Sequence, residues 1–193
     1  MPRVGVLALQ GSVEPHVQAL EACGASAQRL RLPADLEDLD AMVLPGGEST
    51  TISLLLHSSG LFEPLRKRIS AGMPVLATCA GVIVLASEIV DGQSDQVGMD
   101  LLKVKVRRNG YGSQVASFEA PVLLPSLGEA FPGIFIRAPA LETLDDQTKV
   151  LGTLADGSAV LLEQGQILAA SFHPELTGDL RIHQHFLSKI SAY

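Results

Sequence analysis

Apolar runs and amphipathic stretches alternate along the first half of the chain. Residues 4–9 (Val-Gly-Val-Leu-Ala-Leu) are continuously apolar, as in a strand buried on both faces. Gln10 and Gly11 break the run, and Ser12 is placed to cap a helix reaching about Cys23, with Gly24 ending it. Residues 26–32 read as a more polar second strand, and residues 41–44 as a third, stopped by Pro45-Gly46-Gly47. Helical stretches over 50–57 and 62–71 precede an apolar strand at 74–78. This alternation predicts a parallel sheet covered by helices on both faces.

The second half changes character. Residues 101–107, 114–118, 133–136, 149–154, 159–163 and 166–172 read as short strands, with Gln164-Gly165 as a hairpin turn. A last helix is expected over about 178–191. No linker, repeat or low-complexity segment interrupts the chain. The expectation is one domain, residues 1–193: an α/β three-layer sandwich with a mostly parallel central sheet and an antiparallel extension.

Composition narrows the function classes. The 193 residues are 47% hydrophobic and 18% charged, with a net charge of −7. No basic run is interleaved with aromatics, so nucleic acid is not an expected partner. No apolar stretch is long enough to span a bilayer, so no membrane association is expected either. Met1-Pro2-Arg3 leads straight into a strand and does not read as a signal peptide. Two cysteines, Cys23 and Cys79, do not make a disulfide framework, which fits a reducing cytoplasm.

The chemistry concentrates in two segments. Cys79 stands between the strand 74–78 and an apolar stretch opened by Ala80-Gly81. Small residues at such a junction suit a nucleophile elbow, a sharp turn that lifts a side chain above the sheet edge. A helix N-terminus there favours an anionic sulfur, and the Ala80 N–H is placed to bind an oxyanion. Far downstream, Ser171-Phe172-His173-Pro174-Glu175 supplies an imidazole and a carboxylate. In an extended segment, residues two apart point to one side, so Glu175 is expected to orient His173 as the base for Cys79. Taken alone, a cysteine in an apolar run is more often a small buried hydrophobe.

The loop Pro45-Gly46-Gly47-Glu48-Ser49-Thr50-Thr51 is the second signature. Paired glycines let backbone approach a ligand and turn an N–H inward. The loop has no Lys, which speaks against a nucleotide phosphate site. The competing reading is a tight turn with Ser49 as helix cap. His16, His57, His183 and His185 lack acidic or cysteine partners at metal-ligand spacing, so no metal and no cofactor are expected, and these residues read as structure.

Taken in order, Pro45–Thr51, Thr78-Cys79-Ala80-Gly81 and the segment from Ser171 to Thr177 resemble the class I glutamine amidotransferases. Within them they resemble the glutaminases that serve pyridoxal 5'-phosphate synthases. Gly5–Gly11, Arg108-Asn109-Gly110-Tyr111-Gly112, Ser117-Phe118-Glu119 and Phe135-Ile136-Arg137-Ala138-Pro139 fit the same likeness, which covers essentially the whole chain. Ala77 departs from a common Gly, and Gly110 from a frequent Ser.

The resemblance implies a triad of Cys79, His173 and Glu175. It also implies a glutamine pocket lined by Gly47, Glu48, Ser49, Arg108, Ile136 and Arg137. The expected chemistry is hydrolysis of L-glutamine to L-glutamate and ammonia, with Gly47 and Ala80 holding the oxyanion. By resemblance, the ammonia passes to a separate (β/α)8-barrel synthase subunit in a hetero-oligomer. A chain this short has no room for such a barrel, which takes roughly 250 residues. Three alternatives stay open. One is the glutaminase of another amidotransferase, for anthranilate or imidazole glycerol phosphate. Another is a cysteine hydrolase or chaperone of the same sandwich type. The third is a binding subunit without catalysis.

Overall fold

The structure, a computed structural model, describes residues 1–91, 98–111 and 117–190. In chain order, Arg3–Leu7 forms β1, Val13–Ala22 α1, Ser26–Leu30 β2, Ala41–Leu44 β3, Ser49–Ser58 α2, Phe62–Ser70 α3, Val75–Thr78 β4 and Ala80–Leu85 α4. Then come β5 (Ala86–Val90), β6 (Leu102–Arg107), β7 (Ser117–Val122), β8 (Phe131–Ile136), β9 (Ala140–Thr143), β10 (Lys149–Thr153), β11 (Ala159–Gln164), β12 (Ile167–Ala170) and α5 (Arg181–Ser188). Short 3-10 turns lie at Pro33–Leu36 and Pro174–Leu176.

The main sheet has the order β10-β11-β12-β4-β3-β1-β2. The run from β12 to β2 is parallel, and β11 and β10 add antiparallel strands at one edge. Successive side chains point to opposite faces of a strand. Accordingly Met42, Leu44, Val75, Ala77, Ile167 and Ala169 pack with Ile52 and Leu56 of α2 and Leu65 and Ile69 of α3. Val4, Val6, Ala41, Val43, Leu76, Leu168 and Ala170 pack on the other side with Val17 and Leu20 of α1 and Ile182 and Phe186 of α5. The helix residues recur at three- or four-residue spacing, so each helix lays one apolar stripe on the sheet. Burying each such large side chain contributes about 1.5–3 kcal/mol, so the two-sided central strands anchor all three layers. This is the α/β sandwich expected from the alternation of runs.

Several expectations are corrected. The apolar stretch after Cys79 is helical only to Leu85 and then becomes β5, which pairs with β6 in a small sheet completed by β9. Part of the expected antiparallel extension is therefore detached from the main sheet, and β7 and β8 form a second separate ribbon. Residues 114–116 of the expected strand 114–118 lie outside the described residues, as does Ser191 of the last helix. The turn between β11 and β12 falls at Gly165-Gln166, one residue later than expected, with Gly165 at φ 55°. Ser12 occupies the N-cap of α1 but makes no side-chain cap bond; its N–H donates to the Gly46 carbonyl at 2.9 Å.

Candidate active site

The C-terminal ends of β12, β4, β3 and β1 lie side by side, and the chain leaving each brings chemistry to one cleft. Cys79 follows β4, the Gly46-Gly47 turn follows β3, Gln10 follows β1 and His173 follows β12. The cleft is a cavity of about 320 Å³ lined by Gln10, Gly46, Gly47, Glu48, Ser49, Cys79, Ala80, Arg108, Asn109, Ile136, Arg137 and His173, among others.

Cys79 has φ 46° and ψ −107° and directly precedes α4. A side-chain-bearing residue at positive φ costs of order 1–3 kcal/mol, which surrounding contacts must impose. The Cys79 N–H is held by the Ala170 carbonyl at 2.8 Å, and Ala170 is the parallel register partner of Thr78. The elbow is thus locked to the strand that delivers His173. The sulfur lies 3.7 Å from the Ile136 carbonyl.

His173 and Glu175 meet, though not as an extended segment. Residues Pro174–Leu176 form a 3-10 turn, because the Leu176 N–H reaches back to the His173 carbonyl at 3.3 Å. This corrects the expected extended geometry while keeping its outcome. Nδ1 of His173 donates to Oε1 of Glu175 at 2.8 Å, which leaves Nε2 for the thiol. Both residues are 6% exposed. Burial works to lower the His173 pKa, but the Cys79 sulfur and the Glu175 carboxylate outweigh it and raise the value to about 10. Burial works to raise that of Glu175, yet His16 and His173 together bring it down to about 2. Imidazolium and carboxylate therefore face each other near neutral pH.

The glycine loop serves the same cleft. The Gly46 N–H donates to Oγ1 of Thr78 at 3.0 Å, and the Glu48 N–H to Oε1 of Gln10 at 2.8 Å. Ser49 is not the helix cap that the loop suggested. Glu48 caps α2, accepting from the N–H groups of Thr50 at 3.1 Å and Thr51 at 2.7 Å. Glu48 also accepts from the Arg108 guanidinium at 3.1 Å, so one carboxylate ties the loop to the arginine. The hydrogen bonds from Thr51 and Thr50 overcome burial and hold the Glu48 carboxyl below its ordinary value. Oγ of Ser49 is buried without a hydrogen-bond partner among the described residues, and Ser49 lines the cleft. Arg137 has φ 45° and is exposed at the rim.

A curated relative, the pyridoxal 5'-phosphate synthase subunit PdxT of Salinispora tropica, is 51% identical, covering 99% of this chain and 98% of that protein. The subunit of the same name from Thermococcus kodakarensis is 48% identical over 98% of this chain and 99% of its own. A solved structure described as a glutamine amidotransferase superposes with a TM-score of 0.91 at 45% identity, covering 98% and 99% of the two chains. The family model described as the SNO glutamine amidotransferase family matches residues 6–192. This chain belongs to that family. Membership gives a context, that of glutamine amidotransferases, to the cleft in which this chain sets a thiol and an imidazole backed by a carboxylate.

All the sequence-selected pocket residues reach the cleft, and Glu175 stands behind His173 instead of lining it. Sequence reasoning did not assign Gln10 or Asn109 a site role. Gln10 carried a signal, since it is the first polar residue after a strand buried on both faces. His16 and His183, read as structural, lie directly behind Glu175. The departure at Gly110 has a steric reason: a β-carbon there would overlap Ala140. Ala77 is fully buried in β4.

Proposed function

We propose that this chain is the glutaminase subunit of a pyridoxal 5'-phosphate synthase, one domain that hydrolyses L-glutamine to L-glutamate and delivers the ammonia to a partner synthase. The observation that carries the reading is the full-length identity of about half to the PdxT subunits, together with the meeting of Cys79 and His173 in one cleft with Glu175 directly behind His173.

In the proposed mechanism the Cys79 sulfur attacks the side-chain amide carbon. The oxyanion is met by backbone N–H groups, of Gly47 and Ala80. Collapse expels ammonia, which takes its proton from the His173 imidazolium, and leaves a thioester. His173, now neutral, accepts a proton from water as the oxygen adds to the thioester. Glutamate departs and the sulfur leaves as thiolate beside the re-formed imidazolium. Glu175 keeps the ring oriented and stabilises its charge. Arg108, held by Glu48, offers a charge-assisted donor for the substrate α-carboxylate, with Arg137 at the rim. Gly47, Ser49 and Ile136 shape the remaining wall.

The partner in this reading is a (β/α)8-barrel subunit, in a cytoplasmic hetero-oligomer. No residue set in this reading calls for a metal or cofactor. The test is ammonia release from L-glutamine by the chain with a pyridoxal 5'-phosphate synthase subunit. Glutamine-dependent release supports the reading; none at saturating glutamine refutes it.

A further inference from the structure

Behind the triad lies a fully buried polar cluster that the reaction does not touch. His16 of α1 and His183 of α5 are both 0% exposed. Nε2 of His16 lies 3.3 Å from Oε2 of Glu175 and 3.1 Å from Oγ1 of Thr78. Nδ1 of His16 lies 3.0 Å from Nε2 of His183. Among the described residues Oε2 of Glu175 and Nδ1 of His183 have no hydrogen-bond partner, so Oε2 meets His16 through a close electrostatic contact while the hydrogen bond of His16 Nε2 goes to Thr78.

One pattern of neutral rings accommodates all of these contacts at the least cost. A carboxylate accepts and does not donate, so Nε2 of His16 carries the hydrogen. A neutral His16 then presents Nδ1 as acceptor, and His183 donates to it from Nε2. Nδ1 of His183 is left as a bare acceptor, which tolerates burial better than an orphaned N–H. The reverse order fails twice. It would set the Nε2 lone pair of His16 against a carboxylate oxygen, and it would bury the Nδ1–H of His183 without an acceptor. Both rings remain neutral. Burial lowers the pKa of His16 against the pull of Glu175, with His173 lowering it further. Burial, with His16, brings His183 down to about 3.

We propose that His16, fixed as the Nε2–H tautomer by His183, is a positioning residue that holds the far oxygen of Glu175 and so keeps the near oxygen aligned on His173. Through Thr78, whose Oγ1 accepts the Gly46 N–H at 3.0 Å, His16 also ties the carboxylate to the glycine turn. The proposal rests on the reading of Cys79, His173 and Glu175 as the reacting triad.

The charged and titratable groups around Glu175 are few. His173 faces it from its own turn, with Cys79 beyond; His16 faces it from α1, backed by His183 from α5. β8, also packed on this turn, has no titratable side chain. Loss of the His16 donor therefore raises the Glu175 pKa, and activity fails at higher pH on the acid side than in the wild type.

The experiment compares His16→Gln, which keeps an N–H near the place of Nε2, with His16→Leu, in the complex with the synthase subunit. The expected kcat is within about threefold of wild type for His16→Gln and at least about tenfold lower for His16→Leu, a loss typical of a removed supporting partner. In His16→Leu the KM is unchanged and the acid limb of the kcat profile moves to higher pH. Equal losses in both variants, or none in either, overturn the positioning role.

Long-range proton–nitrogen NMR of the unmutated chain decides the hydrogen-bond order independently of folding defects. Neutral Nε2–H rings at both His16 and His183 between about pH 6 and 8 support it, and an Nδ1–H form at either overturns it. An unmutated complex that releases no ammonia from glutamine refutes the functional reading and with it the catalytic purpose of the relay. The ring tautomers then still confirm or refute the order itself.

Discussion

A β-carbon on Gly46 would overlap Cε1 of His173 and lie 3.1 Å from its Nδ1. The imidazole that serves the thiol therefore rests on bare backbone, and the same β-carbon would come 3.1 Å from Cβ of Cys79. Gly46→Ala is expected to push the ring off the Cys79–Glu175 line. Displacement of a reacting group by about 1 Å costs on the order of a hundredfold in rate. Steady-state kinetics should show that loss in kcat, with circular dichroism unchanged; near-normal kcat would mean the ring has room to shift without penalty.

Glu175→Gln keeps the shape of the side chain but removes the charge that faces the imidazolium. Its kcat should fall by about a hundredfold. His173→Ala removes both proton-transfer roles and should lose several orders of magnitude. Kinetics of the two variants side by side check the ordering, which is contradicted if the glutamine variant is the slower.

Stability should depend on pH through the buried histidines. His16 and His183 are held neutral when folded, with pKa values below the ordinary 6.5. Below pH 6.5 the unfolded chain therefore binds more protons, and stability falls as pH drops from 6.5 toward 4.5. His173 does not contribute in that window, because its folded value is raised and both states are protonated there. Glu175, depressed from 4.5 to about 2, adds its loss below 4.5. Calorimetry should give a Tm that declines between pH 6.5 and 4.5, with a shallower slope in His183→Gln. A flat Tm in the unmutated chain would show that these rings titrate normally.

The Gly46 carbonyl accepts the Ser12 N–H at 2.9 Å, which fixes the orientation of the Gly46–Gly47 peptide. Turning the Gly47 N–H toward a substrate oxyanion requires that bond to break. The chain alone is therefore expected to release ammonia slowly, and the synthase subunit to accelerate it by selecting the rotated peptide. Ser12→Pro removes the restraining N–H and should raise the rate of the isolated chain. Equal rates with and without the partner would make the peptide a static element.

Much of this was legible in the sequence, for definite reasons. Strands buried on both faces write themselves as apolar runs, so β1, β3 and β4 were visible, and a Cys at the end of one announced the elbow. The β5 strand was hidden because the apolar run Val82–Ala86 continues past Ser87-Glu88 into Ile89-Val90 with no turn residue to separate helix from strand, and tertiary pairing with β6 decides. Local preference suggested Ser49 as a cap of α2 only as the competing reading of the loop; the chain instead uses Glu48, whose longer carboxylate also reaches Arg108. His16 and His183 escaped because 167 positions separate them, and nothing in the pattern around either ring points to the distant Glu175.

The most direct test of the central claim is the fate of Cys79 with substrate. The complex with the synthase subunit is assayed for ammonia release from L-glutamine, unmutated and as Cys79→Ala, and a glutamine-analogue electrophile is mapped by peptide mass spectrometry. Loss of the nucleophile should abolish release by several orders of magnitude with the fold intact, and the label should sit on Cys79 and spare Cys23. Retained turnover in Cys79→Ala, or a label found on Cys23 alone, would contradict the assignment.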